Sequence, residues 1–105
     1  DAEAVETQAA ADVLAERMRQ IEAEGWTAEH DDMYDRGEMA AAAACYAHFG
    51  WVRLSTGQSP TEWPWGDEWW KPTDRRRDLV KAGALILAEI ERLDRAAARE
   101  TPNAD

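Results

Sequence analysis

Apolar and polar positions follow a helical period over three stretches of the chain. Over residues 4 to 24, Val13, Leu14, Met18 and Ile21 recur at helical spacing, while Glu16, Arg17, Arg19, Gln20 and Glu22 fill the other face. Gly25 stands where such a helix stops. A polar turn occupies residues 27 to 36. The second helix is expected to start near Asp35, which has capping-box spacing to Glu38. It runs through the alanine block at residues 40–44 to Phe49, and Gly50 ends it. Met39, Ala43, Tyr46 and Phe49 would form its apolar face. The third helix, capped by Thr73 or Asp74, runs to about Ala98, with Pro102 beyond. Leu79, Gly83, Ile86, Ile90, Leu93 and Ala97 make alternating steps of four and three, the seam of a helix packed on another helix. Val80, Ala84 and Leu87 widen it. Gly83 costs about 1 kcal/mol relative to Ala in mid-helix, a cost that a close helix crossing or a ligand would offset.

Residues 51 to 72 interrupt the helical pattern. Ser55, Gly57, Ser59, Pro60, Pro64, Gly66 and Pro72 oppose regular structure. A connector of roughly 20 residues is long for a compact domain and often functional. The expected fold is therefore all-α: three main helices in a single domain, residues 1–105, with this loop packed against them and frayed ends at about 1–5 and 99–105.

Composition changes the picture in one respect. Six of the 105 residues are Trp, against two Tyr and one Phe. Five of the six, Trp51, Trp63, Trp65, Trp69 and Trp70, fall in the connector. The formal net charge is −10, a field that repels long nucleic acids and anionic membranes. A single cysteine, Cys45, excludes an intrachain disulfide and any zinc-finger spacing. No apolar run reaches the ~18 residues of a membrane span and no secretory leader is legible, so a cytoplasmic location is expected. The chain starts at Asp1 rather than Met, as a processed or trimmed product would.

Three segments carry candidate chemistry. Glu29, His30, Asp31 and Asp32 stand together between two helices, with Glu38 nearby. Carboxylates beside an imidazole suit a divalent ion or proton transfer, and equally suit helix capping in a solvated turn. The stretch from Trp63 to Pro72 offers indoles that either complete a thin core or form a wall for a planar ligand. Arg75, Arg76 and Arg77 open the last helix, where the partial charge of the backbone is already positive. They either pair with nearby acids such as Asp67, Glu68 and Asp78 or hold an anion. His48, three residues after Cys45, has too few companions for zinc.

Several motifs taken together resemble a family of small proteins encoded in bacteriophages and prophages. They are the run from Glu16 to Glu22, the run from Gly25 to Asp32, Trp63-Pro64-Trp65, Trp69-Trp70-Lys71-Pro72, and the run from Arg76 to Ile86. The resemblance covers residues 12 to 96 and implies action in the cytoplasm of an infected bacterium, with a counter-defence role among those such proteins play. Glu29-x-x-Asp32 and Glu91-x-x-Asp94 are also similar to one acidic motif of the MazG-type all-α nucleotide pyrophosphohydrolases. That similarity implies magnesium, although no Glu-x-x-Glu pair stands at a helix centre.

The leading expectation is non-catalytic binding of an anionic small molecule, a nucleotide by preference, without a cofactor. Trp69 and Trp70 would stack on it, Arg75, Arg76 and Arg77 would hold phosphate, and Lys71 would assist. A magnesium-dependent hydrolase using Glu29, His30, Asp31, Asp32 and Glu38 is one alternative. An acidic inhibitor of a host protein, anchored by exposed Trp and Arg, is the other. The extent of the apolar stripes predicts a homodimer.

Overall fold

The computed structural model describes residues 7–49 and 58–100. Gly50, Trp51, Ser55, Gly57 and Pro102, invoked above for helix stops and for the loop, lie outside those residues, as do both chain ends. Within the described residues the chain is all-α. Helix α1 is Gln8–Glu22, α2 the single turn Ala28–Asp31, α3 Glu38–Ala44 and α4 Arg75–Glu100. A π-helical turn, Cys45–Phe49, continues α3, and a 3-10 turn, Asp67–Trp69, lies in the connector. No described helix is long and apolar enough to cross a membrane.

Local chemistry explains each start. The Thr7 hydroxyl accepts from the Ala10 N–H (3.1 Å), and Thr27 accepts from His30 in the same way. Such caps contribute about 1 kcal/mol each. The stretch read as a polar turn therefore contains a capped helical turn. After α1, Gly25 takes φ +77° and turns the chain, so that Trp26 N–H reaches back to the Gln20 carbonyl (3.0 Å). The second main helix starts at Glu38 rather than near Asp35. Gly37, at φ +83°, precedes it, and the Glu38 carboxylate accepts from Arg36 N–H instead of completing a box with Asp35. Asp74 caps α4 through Arg77 N–H (2.8 Å), and Asp78 reaches back to Thr73 N–H (2.8 Å).

The long helix α4 is the platform on which α1 and α3 pack. Its 26 residues span ~39 Å. The face it buries is not the predicted seam. Val80, Ala82, Ala84, Leu85 and Ala88 are buried, whereas Leu79, Ile86, Ile90 and Leu93 are each between 43% and 50% exposed. Small side chains decide this. Ala82 on α4 shares one buried cluster with Ala42 and Ala43 on α3, and such small side chains let the backbones approach closely and fill space at interior density. Gly83 meets the expectation of a close crossing: a Cβ there would stand 3.2 Å from both γ-methyls of Val13 on α1.

The core joins Ala42, Ala43, Cys45, Tyr46, Trp63, Trp70, Ala82 and Leu85, with Trp26, Ala47, Phe49 and Trp65 packed against it. Cys45 is a buried free thiol, and burial raises its pKa. The other side of the molecule is held differently. On α1 the buried residues are Glu16, Arg17 and Gln20, while Leu14 and Met18 are half exposed.

Candidate ligand-binding site

Between α1, α2, the start of α3 and the Trp-rich connector lies a cavity of about 320 Å³, within the size range of small-molecule sites. Its wall is a continuous series of rings. Trp26 and His30 are parallel, with centroids 6.1 Å apart, and Trp26 meets Trp65 at 6.2 Å. Tyr34 stands edge-on to both His30 (5.2 Å) and Trp65 (5.4 Å). Trp65 passes the series to Trp63 (5.4 Å), and Trp63 to Trp70 (4.9 Å) and Tyr46 (5.5 Å). Edge-on and offset contacts of this kind add about 0.5–1.5 kcal/mol each beyond burial. They fold the connector down onto the helices.

The series divides into support and lining. Trp63 and Trp70 are 8% exposed, and the Trp63 indole N–H is committed to the Gly66 carbonyl (3.0 Å). Tyr46 ties the connector to α3: its hydroxyl accepts from Lys71 N–H (3.1 Å) and donates to the Trp69 carbonyl (3.5 Å). Burial raises the Tyr46 pKa, so the hydroxyl keeps its proton. Trp26, Tyr34, Trp65 and Trp69 remain along the cavity, and Trp69 is 49% exposed at its edge.

Two buried polar atoms on lining residues have no partner among the described residues: the Gln20 side-chain carbonyl Oε1 and the Trp65 indole Nε1. The Gln20 amide nitrogen is fixed by Glu16 (3.2 Å), which orients the carbonyl. An unpaired buried acceptor or donor costs about 1–3 kcal/mol, so each such atom calls for a partner.

The charges on the cavity wall fall into two kinds. Glu16 is buried and shared between Arg19 (2.8 Å) and Arg77. Burial alone would raise its pKa, but the Arg19 and Arg77 guanidiniums outweigh that and hold the carboxyl below its ordinary value. Asp31 pairs with Arg17 (3.2 Å) and the His30 ring (3.2 Å), and Glu24 with Arg19 (2.9 Å). By contrast, no ion pair joins Lys71 or Lys81 to a carboxylate among the described residues. The Lys71 ammonium lies 5.7 Å from the centre of the Trp69 ring. Lys81 lies 5.4 Å from that of Tyr46 and donates to the Lys71 carbonyl (2.6 Å); burial lowers its pKa.

The residues expected to bind a ligand are thus split. Trp69 and Lys71 line the cavity, while Trp70 is core beside it. The arginine trio is elsewhere. Arg75 donates to the Ala47 carbonyl (2.6 Å), Arg76 pairs with Asp12 (2.7 Å), and Arg77 pairs with Glu16. The acids that pair with Arg76 and Arg77 come from α1, more than 60 residues earlier in the chain, not from Asp67, Glu68 or Asp78. Ser59 holds Asp67 instead.

The metal set does not converge. Asp32 pairs with Arg95 (2.9 Å) and Arg99 (3.5 Å), and its pKa is lowered chiefly by the hydrogen bond from Arg95. Asp31 is held by Arg17, Glu38 caps the backbone of Arg36, and Glu29 is exposed. Among the described residues no three His, Cys, Asp or Glu side chains gather as a cation site. Of the carboxylates that the magnesium expectation needed, Asp31 and Asp32 are held by arginines from α1 and α4, and Glu29 and Glu38 do not join them.

Sequence reasoning missed Trp26, Tyr34, Gln20 and Lys81 as lining residues, placed Trp65 in the candidate aromatic wall without singling it out, and gave His30 a metal role in the alternative reading. Of Trp26, His30 and Tyr34 only His30 lies within the single turn α2, so no helical spacing in the sequence marked these rings as neighbours. No protein-family model, curated protein or solved structure matches the chain, so the cavity has to be read from its own residues.

Proposed function

We propose that the chain is a non-catalytic binder of a small planar anion, a nucleotide by class, seated in the aromatic cavity. The observation that carries this reading is the pair of orphaned polar atoms on an aromatic wall. A heterocycle lying against Trp26, Tyr34, Trp65 and Trp69 gains about 1–3 kcal/mol per ring stacked. Its edge, offering a donor to Gln20 Oε1 and an acceptor to Trp65 Nε1, removes two buried deficits at once. Lys71 and Lys81, free of carboxylate partners, then face the phosphate. In this reading they replace the arginine trio, and the −10 net charge discourages longer polyanions. In the phage setting that the motif resemblance implies, such a binder would act by sequestering a nucleotide.

The test is a thermal-shift and tryptophan-fluorescence titration with mono-, di- and cyclic nucleotides, with and without magnesium. Ligand that binds only the folded chain raises the melting temperature. The expected result is a magnesium-independent shift with quenched fluorescence and no released phosphate. Lys71→Ala should weaken binding about 10-fold, in line with a charge-assisted contact, and Trp65→Phe should do so by a similar factor. A flat response across the panel, or binding unaltered by both substitutions, would end the proposal.

A further inference from the structure

A side-chain amide can usually turn over and offer either its carbonyl or its N–H groups, so it tolerates a ligand atom of either polarity. Gln20 cannot. It is 2% exposed, and its amide nitrogen donates to Glu16 Oε2 (3.2 Å). A carboxylate only accepts hydrogen bonds, so turning the amide over would set two acceptors against each other. The carboxylate is itself locked. Arg19 holds both of its oxygens, at 2.8 Å and 2.9 Å, and Arg77 from α4 pairs with Oε1. Burial pulls the Glu16 pKa up, yet these guanidiniums keep it below its ordinary value. The Gln20 carbonyl is therefore the atom left over on this lining residue, and it has no partner among the described residues. Trp65 fixes a second polarity. Its indole Nε1 can only donate, and it too is buried without a partner.

We infer, on the basis of the nucleotide reading above, that Gln20 sets the specificity of the cavity and that Glu16 positions Gln20. The cavity then takes bases that carry an N–H donor on their bonding edge and disfavours bases of the same shape that lack one. A base without that donor covers the carbonyl, keeps water from it and leaves it unpaired. Stacking makes no such distinction, because every base has a π-face. Arg77, expected from the sequence to hold phosphate, acts at one remove, through Glu16 on the orientation of Gln20.

Matched ligands test this by tryptophan fluorescence: AMP and IMP against purine riboside 5′-monophosphate, and CMP and UMP against pyrimidin-2-one riboside 5′-monophosphate. Each analogue keeps a ring, the sugar and the phosphate, and its base has no N–H donor. The tightest donor-bearing nucleotide should bind at least about 10-fold better than its analogue. Gln20→Leu should bring the two within about 3-fold, through weaker binding of the nucleotide. Glu16→Gln should narrow the gap from the other side, because its amide can donate to Gln20 and let it turn its N–H groups toward the analogue. Circular dichroism and a cooperative melt check the fold of each variant. Should Glu16→Gln not fold, Glu16→Asp takes its place, keeping a charge for the arginines while withdrawing it from Gln20. Absence of binding across the whole panel overturns the nucleotide reading and the inference with it. Nucleotides that bind no better than their analogues overturn the inference and leave that reading standing. A preference that survives Gln20→Leu, or a folded Glu16 variant, overturns it as well.

Discussion

Helices α1 and α3 dock on the same partner by opposite chemistry. From α3 the buried set is Met39, Ala42 and Ala43, and Ala42 and Ala43 cluster with Ala82 and Leu85 of α4. From α1 it is Glu16, Arg17 and Gln20. Val13 packs on Gly83, and three ion pairs join α1 to α4: Asp12 to Arg76, Glu16 to Arg77, and Arg17 to Glu91 (2.9 Å). Apolar docking depends on volume and tolerates repacking. Ionic docking depends on every charge keeping its partner, since a buried charge left alone costs far more than the pair contributes. The cavity lies on the ionic side, where orientation of polar groups matters more than tightness.

The largest blow to this contrast comes from Arg17→Leu. It leaves the Asp31 carboxylate, 1% exposed, without its guanidinium, and unfolding free energy should fall by about 3–5 kcal/mol in urea titrations. Replacing Asp31 as well, in Arg17→Leu/Asp31→Leu, should recover most of that. A single variant losing under about 1 kcal/mol would mean that α1 is held by something other than its charges. On the α3 side, Leu85→Ala should cost about 2–5 kcal/mol through a cavity, with no compensating charge partner available; near-neutrality would show that side to be loosely packed. The smallest effect separates the two sides by pH. Because the Glu16 carboxyl is held below its ordinary value of 4.5, its contribution is complete above that pH and is lost as pH falls through the depressed folded value. Glu16→Gln should flatten the acid limb of the stability profile, whereas Leu85→Ala should lower the whole profile without changing its slope.

These two modes of docking also explain how much was legible in the sequence. Helices α3 and α4 could be read because period and propensity act locally, and Met39, Ala43 and Tyr46 are buried as their spacing predicts. The orientation of α4 could not. Its strongest apolar row is outward, and the choice of the alanine face depends on alanines of α3 some 40 residues away. The partners of Arg76 and Arg77 were sought among nearby acids or an anion for the same reason, since Asp12 and Glu16 come from a helix at the other end of the sequence. The connector was recognised as a Trp-rich layer, but which indoles support and which line the cavity is set by contacts with α2 and α3. Local sequence places Trp69 and Trp70 side by side; the 3-10 turn between Asp67 and Trp69 sends one outward and the other in.

The thiol of Cys45 sits where α3 passes into its π-helical turn, 1% exposed and with its pKa raised by burial. Only a thiolate attacks disulfide reagents, so in the closed molecule this sulfur is inert. It reacts when the α3 end lifts, and the labelling rate becomes a stopwatch for breathing at that joint, legible in the unmodified chain without any introduced probe.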